Sequence, residues 1–129
     1  MATKNLWGDL SQEPEVRPPT SLLKEQASAL KAATKGVLYG NVVVQRSAAG
    51  FYVELRIVAP ALDDYEYSVV HVEHDLDMYP LKLYPEWVQH TDYIRCEDEE
   101  EFEAALAKVL SDARVKKVVA SLIAQSRVS

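Results

Sequence analysis

From Phe51 to Ile57 apolar and polar positions alternate without a break. Phe51, Val53, Leu55 and Ile57 point one way, and Tyr52, Glu54 and Arg56 the other. A two-residue period of this kind predicts a half-buried β-strand. The preceding "VLYGNVVVQR" is rich in β-branched residues and too short for a helix, so it is read as a strand. "SAAG" then supplies a four-residue hairpin loop between the two. Pro60, Asp63 and Asp64 give "PALDD" the chemistry of a turn, and "YEYSVVHVEH" makes a third strand. "MYPLKLYP" reads as a fourth strand, placed at a sheet edge because Pro80 and Pro85 cannot donate to a ladder. "DYIRC" has room for a short fifth.

The flanks have helical spacing instead. In "PPTSLLKEQASALKAATKG", Leu23, Ala27, Leu30 and Thr34 fall on one stripe that Leu22, Ala29 and Ala33 widen. Lys35 is placed in the last turn, with Gly36 as the C-terminal cap. Near the other end Asp98 and Glu101 have capping-box spacing ahead of Phe102, Ala105, Leu106, Val109 and Leu110. "SDAR" opens a further helix whose Val115, Val118, Val119, Leu122 and Ile123 share one face. The expected fold is therefore α+β. An antiparallel sheet of four to five strands forms a meander, with one helix before it, two after, and the helices packed on one face. Residues 1–19, with Pro14, Pro18 and Pro19, are read as an extended N-terminal arm, and 20–129 as a single α+β domain. Trp7 in that arm is expected to dock back on its own domain. Packing on a symmetry mate, or use as a short linear motif, are the alternatives.

Four stretches, "LWGDL", "LKEQASALKAATKG", "VAPALDDYEYSVV" and "YP", resemble in this order a family of small bacterial proteins to which no function is attached. The resemblance spans most of the chain and implies a bacterial source. None of these words is a catalytic or ligand motif, so no residue role follows from it.

Composition narrows the function classes. A chain of 129 residues, 48% hydrophobic and 26% charged, is long enough for a real core without staples. No apolar run approaches the ~18 residues of a membrane span. The start shows no apolar segment of the signal-peptide kind. With Cys96 the sole cysteine there is no internal disulfide framework, and a reducing cytoplasm is the expected compartment. The net charge of −6 is unevenly spread: residues 63–103 hold fourteen acidic side chains against two basic ones, Lys82 and Arg95. Nucleic acid and anionic membrane need clustered cations, so neither is expected as a partner. A basic protein, or no charged partner, suits that acidic middle better.

Candidate chemistry is sparse. His71 and His74 are three apart on a predicted strand, which sends them to opposite faces. A metal site would need the chain to turn after Glu73 and His90 to arrive from elsewhere, so no metal and no cofactor is expected. Cys96 is followed by Glu97, Asp98, Glu99, Glu100 and Glu101, a field that opposes a thiolate, and a partly buried, inert thiol is expected. No nucleophile elbow or glycine-rich phosphate loop is present. Tyr39, Tyr52, Tyr65, Tyr67, Tyr79, Tyr84 and Tyr93 fall mostly in predicted strands, and Tyr52 faces away from the apolar set of its own strand.

The leading expectation is a non-enzymatic protein-binding domain with an acidic, tyrosine-bearing sheet surface. Tyr52, Asp75, Asp77, Tyr84, Asp92 and Trp7 are its candidate partner-binding residues. By analogy alone this suits an immunity-type inhibitor or an effector chaperone. The alternatives are a structural homodimer joined through the same face, and a metal- or small-ligand-dependent enzyme built on His71 and His74.

Overall fold

The computed structural model describes residues 3–12 and 15–129. Among these, α1 (Pro19–Ala33) precedes the strands β1 (Tyr39–Ser47), β2 (Gly50–Ala59), β3 (Tyr65–His74), β4 (Leu81–Pro85) and β5 (Ile94–Cys96), and α2 (Glu99–Leu110) and α3 (Ala113–Arg127) follow. The strands pair in chain order as an antiparallel meander. Helix α1 lies on β1 and β2, α2 on β4 and β5, and α3 on β2 and the 3-10 turn Pro60–Leu62. The helices therefore cover one face, as the alternation of Val53, Leu55 and Ile57 requires. The core between the layers is built from fully buried Leu23, Leu38, Val53, Val72, Leu83 and Phe102.

One irregularity keeps the faces in phase. β2 and β3 pair with a register shift at Leu55/Arg56: Leu55 faces Val70 and Arg56 faces Ser68, which leaves Val69 as an extra residue. Both Val69 and Val70 are buried in the core, and Ser68 and Glu66 are returned to the side of Arg56 and Val58. A bulge inserts one residue and re-aims the side chains beyond it. Without it, every residue from Ser68 back to Tyr65 would present the wrong face.

The helix ends follow their local chemistry. Pro19 stands at the first position of α1, where its missing N–H is no loss. α1 ends at Ala33; Lys35 lies beyond it in a left-handed conformation (φ 53°), so Lys31 and not Lys35 is the base of the last turn. The Gly36 N–H closes the end by donating to Lys31 O at 2.8 Å. Asp98 Oδ1 accepts from the Glu101 N–H at 2.8 Å, and Glu101 reaches back to the Glu97 N–H at 2.9 Å, one residue ahead of the usual capping-box target. Asp112 caps α3 through the Arg114 N–H at 2.8 Å.

Several expectations are corrected. The β1–β2 loop contains two residues, Ala48 and Ala49, because Ser47 and Gly50 already pair. β4 is an interior strand between β3 and β5. Pro80 precedes it and Pro85 ends it, so the prolines bracket the ladder and interrupt nothing. Tyr79 and Tyr93 lie outside the strands. Trp7 does not dock: it is 81% exposed, in a local turn where its N–H donates to Asn5 Oδ1 at 2.9 Å. Among the described residues the arm is ion-paired to the domain near α1, where Arg17 meets Glu25 at 2.9 Å and Glu99 at 2.7 Å. Pro14, assigned to that arm, falls outside the described residues.

Helix α1 meets β1 at Gly40. A methyl group there would sit 2.5 Å from Ala27 Cβ and 2.6 Å from its Cα, neither of which can swing away. Gly40→Ala should therefore destabilise the fold by about 1–3 kcal/mol as overpacking. Chemical denaturation measures this, and adding Ala27→Gly should recover part of the loss. Additive losses in the double variant would contradict the contact.

Candidate functional site

Among the described residues no helix lies over the second face of the sheet. Cross-strand register lines its residues into rows. One row runs Gln45, Tyr52, Glu73, Lys82, Arg95 from β1 to β5, and the next runs Val43, Glu54, His71, Tyr84 from β1 to β4. Side chains opposite or diagonal across strands are close enough to touch. Here they stack. His71 lies between Tyr52 and Tyr84, with ring centroids 4.5 Å apart on each side and planes inclined by 26° and 9°. His90, from the β4–β5 loop, continues the stack on Tyr84 at 5.2 Å, and Tyr93 meets Tyr84 at 5.5 Å with its plane tilted by 48°. Each such ring pair contributes about 0.5–1.5 kcal/mol beyond the area it buries. Tyr84 is thereby buried although no helix covers it.

Two carboxylates flank the stack. Glu54 is 9% exposed, pairs with Arg56 Nε and accepts from Ser68 Oγ at 2.9 Å; Arg56 in turn reaches Glu66 at 3.5 Å. The bulge makes this possible, since it delivers Ser68 to this face. Glu73 is less well served. Its Oε2 lies 3.5 Å from His71 Nε2 and is buried without a hydrogen bond among the described residues. A proton on Nε2 makes that approach attractive, so the pair orients the ring. Burial first, and the Glu54 charge second, raise the Tyr52 phenol. Burial pushes Tyr84 up to about 12, with Glu73 as the second cause. Both phenols stay neutral at ordinary pH.

The predicted site residues do not form one patch. Tyr52 and Tyr84 come together on the open face with His71 and His90. His74 points to the helix side, where it stacks on Phe51 at 5.0 Å and its Nδ1 lies 2.7 Å from Asp75 O. His71 and His74 thus lie on opposite faces, and among the described residues no group of three His, Cys, Asp or Glu is arranged to hold a metal ion. Asp75 and Asp77 are exposed in the β3–β4 turn, at one end of β4, whereas Asp92 is exposed in the loop at the other end. Trp7 is remote in the arm. The expected acidic sheet surface is corrected as well. Glu54, Glu66 and Glu73 on the open face are balanced by Arg56, Lys82 and Arg95. The other acids of residues 63–103 sit in turns, loops and the first turns of α2, where backbone N–H groups and the helix dipole favour them.

Beside the stack, where the first row meets the β1–β2 hairpin, lies a cleft of about 430 Å³. Gln45, Tyr52, Glu73, Lys82 and Arg95 line it together with Arg46. Sequence reasoning missed this cleft, because it arises from register across five strands. The available signal was that Lys82 and Arg95 are the only bases in an acidic stretch. No family model, curated protein or solved structure matches the chain.

Two expected outcomes follow from the burial of titratable groups. Cys96 is fully buried, and burial with Glu101 and Asp98 pushes its thiol up to about 11. At pH 8 a disulfide reagent should modify it at least ~100-fold more slowly in the folded protein than in denaturant. Rapid modification of the folded chain would refute the burial. Tyr84 and Tyr79 are both raised to about 12, chiefly by burial, from the ordinary 10.0. Below pH 10 both are protonated in folded and unfolded chains, so their contribution is fully present. Between about 10 and 12 the unfolded chain releases protons that the folded chain retains, and stability falls as pH rises. Thermal melts across that window should show a shallower fall for Tyr84→Phe; identical slopes would show that Tyr84 titrates normally.

Proposed function

We propose that this chain is a non-enzymatic protein-binding domain whose open sheet face is the contact surface. The observation that supports the reading is the stack Tyr52–His71–Tyr84–His90 on a sheet face that no helix covers. Aromatic side chains held rigidly by their neighbours lose little entropy on binding, and Tyr and Arg are enriched among the residues that carry binding energy. Size agrees. Strands of the observed lengths, at ~3.3 Å per residue and ~4.8 Å spacing, give a face of roughly 500–600 Å². That is the scale of one side of a protein interface, about 800 Å² per partner, and far more than a small molecule covers. The balanced charge of the face does not require a basic partner.

A second reading uses the same surface. Three acids and three bases on one face also suit a two-fold mate, since an isologous interface sets each patch against its own copy.

Replacing exposed Gln45 on the open face with a photo-cross-linking amino acid tests both, with exposed Ala120 on α3 as the control position. The expected result in the native host is one heterologous protein joined through position 45 and not through 120. Tyr52→Ala should then weaken binding of that purified protein at least tenfold, about 1.4 kcal/mol. Adducts of the chain with itself alone would select the homodimer. Equal labelling from both positions would remove the open face as an interface.

A further inference from the structure

Lys82 and Arg95 are directly opposite each other on β4 and β5. They are also the only two basic residues among the fourteen acids of residues 63–103. Like charges placed opposite one another on a sheet destabilise it, and an acid at either position would have relieved the repulsion. Neither is neutralised by its row. Lys82 is the cross-strand partner of Glu73, yet its Nζ lies 5.0 Å from the centroid of the Tyr93 ring and makes no ion pair among the described residues. Glu73 turns instead toward His71. Arg95 gives its Nε to Glu97, which leaves the outer nitrogens of the guanidinium fork free of protein hydrogen bonds among the described residues. Both side chains are exposed, both line the 430 Å³ cleft, and Arg46 joins them there.

Glu97 answers one charge of this pair, and the Lys82 ammonium, beside the open fork of Arg95, is left without an ion-pair partner among the described residues. We propose that the cleft binds a singly charged carboxylate carried on an apolar or aromatic body, supplied by the protein partner as its chain terminus. The inference rests on the reading of the open face as a protein-binding surface, and it names the chemistry recognised there. The planar fork of Arg95 matches a carboxylate geometrically, and Lys82 adds a point charge. Glu73 and Asp75 also line the cleft and limit the charge it tolerates, which disfavours a dianionic phosphate. The Tyr52 ring gives the body of the ligand an apolar surface.

The test is an NMR titration of the full chain with N-acetylphenylalanine, its uncharged amide, N-acetylglutamate α-amide and inorganic phosphate. N-acetylphenylalanine should shift the Tyr52 ring and the Lys82 and Arg95 side-chain signals saturably, and the amide at least fivefold more weakly. Lys82→Met and Arg95→Gln should each weaken the carboxylate at least fivefold, while Lys82→Met keeps its Tm because a repulsion is removed. Tighter binding of the glutamate compound, whose carboxylate sits on a short chain between polar amides, would assign the site to an acidic side chain and overturn the proposal. Equal binding of the amide, tighter binding of phosphate, or unaltered affinity in both variants would overturn it. Absence of any saturable shift would also overturn it, while heterologous cross-linking through position 45 would leave the protein-binding reading standing.

Discussion

The register between β2 and β3 is the constraint on which the two faces of this molecule depend, and the extra residue at Val69 sets it. Up to Leu55 and Val70 the strands alternate in step. Beyond them, a strict period would have turned Val69 and Tyr67 toward solvent and Ser68 and Glu66 into the core. The bulge lets two consecutive valines share the core and restores the phase afterwards. It also solves a polar problem on the other side. Glu54 is nearly buried beside the aromatic stack, and an unpartnered carboxylate there would cost several kcal/mol. The Ser68 hydroxyl, brought to that face by the bulge, gives it one of its partners.

The two faces do different work with the same strands. On the helix side, close packing without polar groups is sufficient, and the Gly40–Ala27 contact shows how near the layers come. On the open side, the side chains cover one another. Rings stack across two neighbouring rows, and Glu54, Arg56 and Glu66 form a chain of opposite charges. This makes a surface stable in water but still rich in half-buried aromatic area. The high acidity of the middle of the chain is mostly kept out of it, in turns and at the start of α2, where a local reason for each acid exists.

How much of this was legible in the sequence depended on whether the signal was local. The helices, the strand β2 and the caps at Asp98 and Asp112 follow from periodicity and spacing, and the split of His71 from His74 follows from parity along one strand. Neighbours across strands do not. That His71 sits between Tyr52 and Tyr84 requires the lengths of the β2–β3 and β3–β4 connections, the phase set at Val69 and the interior position of β4. Sequence reasoning placed β4 at an edge, because a proline at the border of a strand and one within it look alike until the ladder is known. The docking expected of Trp7 failed for a related reason. An apolar side chain predicts burial only when the chain around it has somewhere to bring it, and the turn built by Asn5 and Asp9 holds that segment on its own.

The contrast between the two tryptophans gives the molecule a pair of built-in optical reporters. Trp7 is almost fully in water, whereas Trp87 is partly buried against the core with the Arg114 guanidinium 4.9 Å from its ring centroid. The first emits as a solvated indole and responds to anything that settles on the arm. The second lies in a shielded, cation-capped environment and reports on the packing of α3 against the β4–β5 loop. Fluorescence can therefore separate engagement of the arm from melting of the fold within one unlabelled sample.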